Sequence, residues 1–187
     1  MKALSKFYLA LSLTAFLLGT SAKGMADEDI CVHGHSAESQ TPHSAPVYYG
    51  WGIALAPPSH DGNWLHYSIP TPSGKSLKAI KVKFSTGENG YIDAIHLWDG
   101  DVPKLQLEHL ELKGAETKVV PISPEQAISS VGISIRVKAG PGEARSRLGR
   151  LESSIFGGGE KARVQISSVC GTFVAGPVSD PVSRHPE

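Results

Sequence analysis

The chain has 187 residues, 40% of them hydrophobic and 19% charged, with 18 basic and 18 acidic side chains. That composition excludes a disordered or low-complexity protein, and the length suits one domain with short extensions. A formal net charge of zero removes the phosphate-neutralising term that drives nucleic-acid association, so no nucleic-acid partner is expected.

Residues 1–26 have the three parts of a secretion signal. Lys2 and Lys6 are followed by an apolar run from Phe7 to Gly19, then by small residues that offer cleavage after Ala22 or after Ala26. The apolar run is too short to span a bilayer, so the expectation is a secreted or periplasmic protein with no stable membrane insertion after cleavage. Removal of residues 1–26 takes away Lys2, Lys6 and Lys23. It leaves 161 residues with 15 basic and 18 acidic side chains, a net charge of −3. A chain of that size buries roughly 70% of its unfolded surface, enough for a real core.

Residues 27–46 are polar and poor in apolar side chains, and they read as a flexible N-terminal tail. Within them, Cys31, His33, His35 and His43 form the most metal-like cluster of the chain, with ligand types suited to zinc or copper. An extended backbone puts His33 and His35 on one face. No second Cys/His pair stands at zinc-finger spacing, so the same histidines equally suit a solvated tail, and no cofactor is expected. The two cysteines, Cys31 and Cys170, have the option of pairing in an oxidising compartment.

From Val47 the pattern is that of short strands and turns. Residues 47–55 are rich in Tyr, Trp, Ile and Val, and 57–62 form a turn cluster. Residues 64–69 make an aromatic strand stopped by Pro70-Thr71-Pro72-Ser73-Gly74. Residues 77–86 alternate, with Ile80, Val82 and Phe84 on one face and Lys81, Lys83 and Ser85 on the other. Gly87-Glu88-Asn89-Gly90 signals a hairpin before a strand over 91–98. In 105–112 the apolar phase slips from Leu105 and Leu107 to Leu110 and Leu112, which predicts a bulge or a short helical stretch. A second helical stretch is the alternative over 124–130. Val131, Ile133, Ile135 and Val137 give the cleanest alternation, followed by a Gly/Arg-rich loop over 138–150. Further strands are expected over 151–156 and 163–169, and a flexible C-terminal tail over 175–187.

Eight or nine short strands at this spacing predict an all-β antiparallel β-sandwich over residues 47–174, of jelly-roll or immunoglobulin-like type. Gly50-Trp51-Gly52, Asn63-Trp64-Leu65-His66 running into Ile69-Pro70-Thr71-Pro72, the segment Ile92-Asp93-Ala94-Ile95-His96-Leu97-Trp98-Asp99-Gly100 and the strand Val131-Gly132-Ile133-Ser134-Ile135 together resemble an uncharacterised family of small bacterial all-β proteins. The resemblance spans about residues 47–174. It implies the fold class and carries no activity with it.

Several residues are candidates for a site. Trp51, Trp64 and Trp98 suit an aromatic platform for a flat ligand such as a sugar ring, but on apolar strands they read first as core. His66, His96 and Asp99 are polar neighbours for a binding rim, or members of a dispersed catalytic site, although His96 reads first as a core-edge histidine donating to a backbone carbonyl. By period two, His96 and Trp98 share a face with Ile92 and Ala94, while Asp93 and Asp99 take the other. His60, Asp61 and Asn63 are further rim candidates, and Arg145, Arg147 and Arg150 suit an anion. No Gly-x-Ser-x-Gly elbow occurs. The residues favour an exported non-catalytic module that binds a protein or glycan ligand. A small exported enzyme with a dispersed His/Asp site and a structural envelope protein are the alternatives.

Overall fold

A computed structural model describes residues 26–40, 47–49, 53–56, 61–140 and 163–176. The expected signal segment before Ala26, the predicted strand over 151–156 and the expected C-terminal tail beyond 176 lie outside the described residues. So do His43, Trp51, His60, Arg145, Arg147 and Arg150.

Eleven strands are present among the described residues: β1 (Glu28–His33), β2 (Glu38–Ser39), β3 (Val47–Tyr49), β4 (Ile53–Ala56), β5 (Asn63–Ile69), β6 (Lys75–Thr86), β7 (Gly90–Asp99), β8 (Val102–Leu107), β9 (Ala115–Ala127), β10 (Val131–Ala139) and β11 (Val164–Ala175). One sheet runs β3-β4-β11-β6-β9, with β1 also paired to β11. The other runs β2-β5-β10-β7-β8. From β5 onward every connection except β7–β8 crosses between the sheets, as in a jelly roll, and all pairings are antiparallel. The antiparallel β-sandwich read from the alternation is therefore the fold.

The core follows from the same alternation. Leu77, Ile80, Val82 and Phe84 of β6 and Val164, Ile166, Val169 and Phe173 of β11 meet Leu65, Tyr67 and Ile69 of β5, Ile92, Ile95 and Leu97 of β7, and Val131, Ile133, Ile135 and Val137 of β10. Most of these side chains are completely inaccessible. At roughly 1.5–3 kcal/mol for each fully buried Val, Leu, Ile or Phe, this interface is the main favourable term of the fold.

The structure corrects several expectations. The stretch 27–46 does not begin as a tail. Glu28–His33 is a strand paired along its whole length with β11, and the body of the domain starts there. Three reasons are visible. Cys31 faces Cys170 across the ladder and is disulfide-bonded to it. Three acidic residues meet three lysines of β6: Asp27 with Lys78 at 2.8 Å, Asp29 with Lys81 at 2.7 Å, and Glu28 with Lys75. The Thr172 hydroxyl also donates to Asp29 at 2.6 Å. Composition failed here because a strand riding on a neighbour's edge needs little apolar content of its own.

The single strand expected over 47–55 is two strands, β3 and β4, paired with each other. The helical alternative at 124–130 is also wrong, since β9 runs through to Ala127. Pro121 and Pro124 argue against a strand in the sequence. Among the described residues β9 is an edge paired only with β6, and Pro124 falls in the register break between the pairs Leu77–Gln126 and Ala79–Pro121, where the ladder is interrupted. The phase slip at 105–112 comes from the end of β8 at Leu107. After it, His109 and Glu111 adopt positive φ of 56° and 49°, and Leu112 re-bonds to Ile92. A bulge does occur on β8, between the pairs Leu97–Leu105 and Trp98–Pro103.

Candidate functional site

The site stands on the outer face of the β2-β5-β10-β7-β8 sheet. Alternation in β5 sends Leu65, Tyr67 and Ile69 inward, which leaves Trp64, His66 and Ser68 outside. In β10, Val131, Ile133 and Ile135 point inward and Gly132, Ser134 and Arg136 point outward. The register then forms rows across the three strands. His66, Ser134 and His96 share one row; Ser68, Gly132 and Trp98 share the next.

β7 departs from simple alternation at Asp93. Arg136 pairs with Ala94 but Val137 pairs with Ile92, so Asp93 is the extra residue of a β-bulge. Ile92 is therefore in the core and not on the face of His96 and Trp98, whereas Asp93 turns to the outer face. There its carboxylate accepts from Arg136 Nε at 2.6 Å and pairs with Lys138 Nζ at 3.0 Å. Burial pushes the Asp93 carboxyl up. The hydrogen bonds and charges of Lys138 and Arg136 outweigh that and hold it below its usual range.

Four of the candidates converge here. The His96 ring lies 4.7 Å from Trp64 and 6.2 Å from Trp98, both tilted. The His96 Nε2 meets Glu108 Oε1 at 2.6 Å, so the partner of this nearly buried histidine is a carboxylate and not a backbone carbonyl. Glu108 also pairs with Arg136, whose guanidinium lies over the Trp64 ring at 5.1 Å. The Trp98 indole N–H donates to Ser134 Oγ at 3.1 Å, and His66 Nδ1 lies 2.8 Å from the same oxygen. The Ser134 hydroxyl thus bridges the indole and the imidazole. Burial lowers the His66 pKa below its ordinary 6.5, with the Glu38 carboxylate pulling the other way.

A shallow open depression of about 290 Å³ lies between Trp98 and His66, lined also by Ser68, Gly100, Gly132 and Ser134. Gly132 makes it possible. A Cβ at this position would stand 3.4 Å from Trp98 Cβ, and any larger side chain would fill the floor.

Asp99 does not join this group. Its Oδ1 accepts from Ser129 N at 3.0 Å, Ser129 Oγ at 2.8 Å and Ser130 N at 3.0 Å, and thereby ties down the β9–β10 turn. The Ser129 hydroxyl, with the two backbone donors, lowers its pKa against a small opposing effect of burial. His33, the last residue of β1, and His35, in the 3-10 turn Gly34–Ser36 that follows it, stack at 5.5 Å away from this face. Cys31 is committed to its disulfide, and among the described residues no group of three His, Cys, Asp or Glu is placed to hold a metal. Asn63 is buried, close enough for Ser39 Oγ to donate to it at 3.2 Å.

Sequence reasoning missed Ser134, Glu108, Arg136, Asp93 and Gly132. Ser134, Arg136 and Gly132 were legible as the outward positions of the cleanest alternating strand. Asp93 and Glu108 were not, because one depends on a bulge and the other on a loop.

The titration of His66 has a consequence for stability. A histidine with a depressed folded pKa binds fewer protons folded than unfolded. Its contribution is present above pH 6.5 and is lost as the pH falls through the folded value. Melting temperature should therefore fall on acidification below pH 6.5, and His66→Gln should flatten that part of the curve. An unchanged slope in the variant would assign the loss to other groups.

No protein-family profile matches the chain, and no curated protein matches it. Solved structures do. A low-affinity xylan binding module, CBM86, from Roseburia intestinalis aligns with 79% of this chain and 97% of its own length, at 13% identity and a TM-score of 0.50. The C-terminal CBM6 of LamC, a marine laminarinase from Zobellia galactanivorans, aligns over 78% and 99% at 11% identity and a TM-score of 0.45. A family 29 carbohydrate binding module aligns over 79% and 89% at 9% identity and a TM-score of 0.43. At these identities the likeness to the xylan binding module concerns the fold, and it shows a β-sandwich that this chain covers almost end to end.

Proposed function

We propose that this protein is an exported, non-catalytic module that binds a glycan on the outer face of the β2-β5-β10-β7-β8 sheet. The observation that carries the reading is the depression over Gly132, with the Trp98 indole held by Ser134 along one side and His66 along the other. An indole supplies an apolar face for the C–H side of a sugar ring, and its bond to Ser134 fixes the ring in advance, which limits the ordering cost of binding. The Ser134 hydroxyl, the His66 imidazole and Ser68 suit sugar hydroxyls. Trp98, rather than Trp64, is the platform, because the Trp64 ring is covered by Arg136 and His96. That a module of the same fold binds xylan is in keeping with this reading. The Cys31–Cys170 disulfide supports an oxidising compartment, as the N-terminal signal does.

The test is retention on immobilised polysaccharides, followed by calorimetry with the oligosaccharide that is retained. Trp98→Ala and Gly132→Val should each weaken binding by about tenfold or more, with melting temperatures close to the parent. Gly132 has ordinary backbone geometry, so valine fills the depression without forcing a strained φ. Undiminished binding by both folded variants would remove the site from this face.

A further inference from the structure

We propose that the site selects uncharged sugar units and discriminates against uronic acids. The inference rests on the glycan reading above and adds the chemical class of the ligand.

Among the described residues, the cations that β10 turns to this face are already neutralised, while the Glu38 carboxylate stands exposed beside His66. Arg136 and Lys138 are the two cations that β10 sends outward. Arg136 is held by Asp93 and Glu108 together, and Lys138 by Asp93 at 3.0 Å. Glu108 in turn also engages His96 at 2.6 Å. A ligand carboxylate that docks here must leave water, and recovering that cost takes a charge-assisted hydrogen bond from a cation. Both cations would have to abandon a carboxylate to supply one.

The groups that line the depression itself are neutral: an indole, two serines, two glycines and His66, whose imidazole burial keeps neutral. These match hydroxyls and C–H faces, and nothing among them compensates a formal charge. The Asp93–Arg136–Glu108–His96 network thus has a different task. It holds the guanidinium over Trp64 and closes that ring to ligand, which confines the apolar contact to Trp98. Binding built this way carries almost no Coulombic term and is insensitive to salt.

Calorimetry of the mature chain with neutral xylo-, manno- and gluco-hexasaccharides and a galacturonate hexamer tests this. The titrations are run at about 20 mM and about 500 mM NaCl, where exposed charges interact strongly and weakly respectively. At least one neutral hexasaccharide should bind, with an affinity that changes less than about twofold with salt. The galacturonate hexamer should bind about tenfold more weakly or worse, the difference between a hydrogen-bonded neutral group and an uncompensated charge. A galacturonate hexamer that binds as tightly as the neutral ones, or tighter with a steep loss in salt, overturns the selectivity and leaves the glycan site standing. No binding by any probe removes the glycan reading itself, and the selectivity with it.

Discussion

Replacing Cys31 and Cys170 together by alanine is expected to lower the stability of the mature protein by about 5 kcal/mol, the entropy of closing a 139-residue loop in the unfolded chain. The two residues face each other on adjacent strands, so the bond ties the first strand of the domain to the last. For a chain of this size the loss corresponds to a fall of roughly 10–20 °C in melting temperature. The three acid–lysine pairs along β1 do not replace the disulfide. Their side chains are largely solvated, and such pairs contribute about 0–1 kcal/mol each. Scanning calorimetry with and without reductant checks the point. Reductant should bring the parent down to the double variant and leave the variant unmoved. A variant that melts with the oxidised parent would mean that β1 is held by its ladder alone.

The second large effect lies under β11. Phe173 is completely buried, and Phe173→Ala should cost about 3–5 kcal/mol, because the ring leaves both its transfer free energy and a cavity behind. The ring fits only because residue 171 is glycine. A Cβ there would stand 2.8 Å from Phe173 Cε2 and 3.1 Å from Leu77 Cδ1. Gly171→Ala should therefore cost about 1–3 kcal/mol through overpacking. In the double variant the new methyl has room where the ring stood, so the combined loss should fall short of the sum by roughly 1 kcal/mol or more. Urea unfolding of the four proteins measures this coupling. Strict additivity would show that Gly171 and Phe173 do not compete for the same space.

Both effects concern the sheet that carries no site, and that division of labour is useful. The β3-β4-β11-β6-β9 sheet, with β1, holds the disulfide and the three acid–lysine pairs. The opposite sheet can then place half-buried tryptophans and polar side chains on its outer face, because its inner face already contributes a full layer of Ile, Leu and Val to the core. The charge network around Arg136 rigidifies that outer face without giving it a net field.

How much of this was legible is best judged residue by residue. Ile80, Val82 and Phe84, and Val131, Ile133, Ile135 and Val137, announced half-buried strands because side-chain direction has period two, a property of the backbone that holds before any neighbour is known. The same period put Trp64 with His66, and His96 with Trp98. What it could not say is which strands lie side by side. His66, Ser134 and His96 are far apart in the chain and form one row only through the order β5-β10-β7. β1 was hidden because its stability is borrowed from β11, and β9 because its two prolines are harmless only at an edge. Asp93 reached the outer face through one inserted residue, which reverses the alternation that sequence reasoning relies on. Local chain geometry thus decided the β class, the inward and outward faces and the candidate aromatics. Pairing, edges and bulges are agreements between segments distant in sequence, and they alone assembled those residues into a surface.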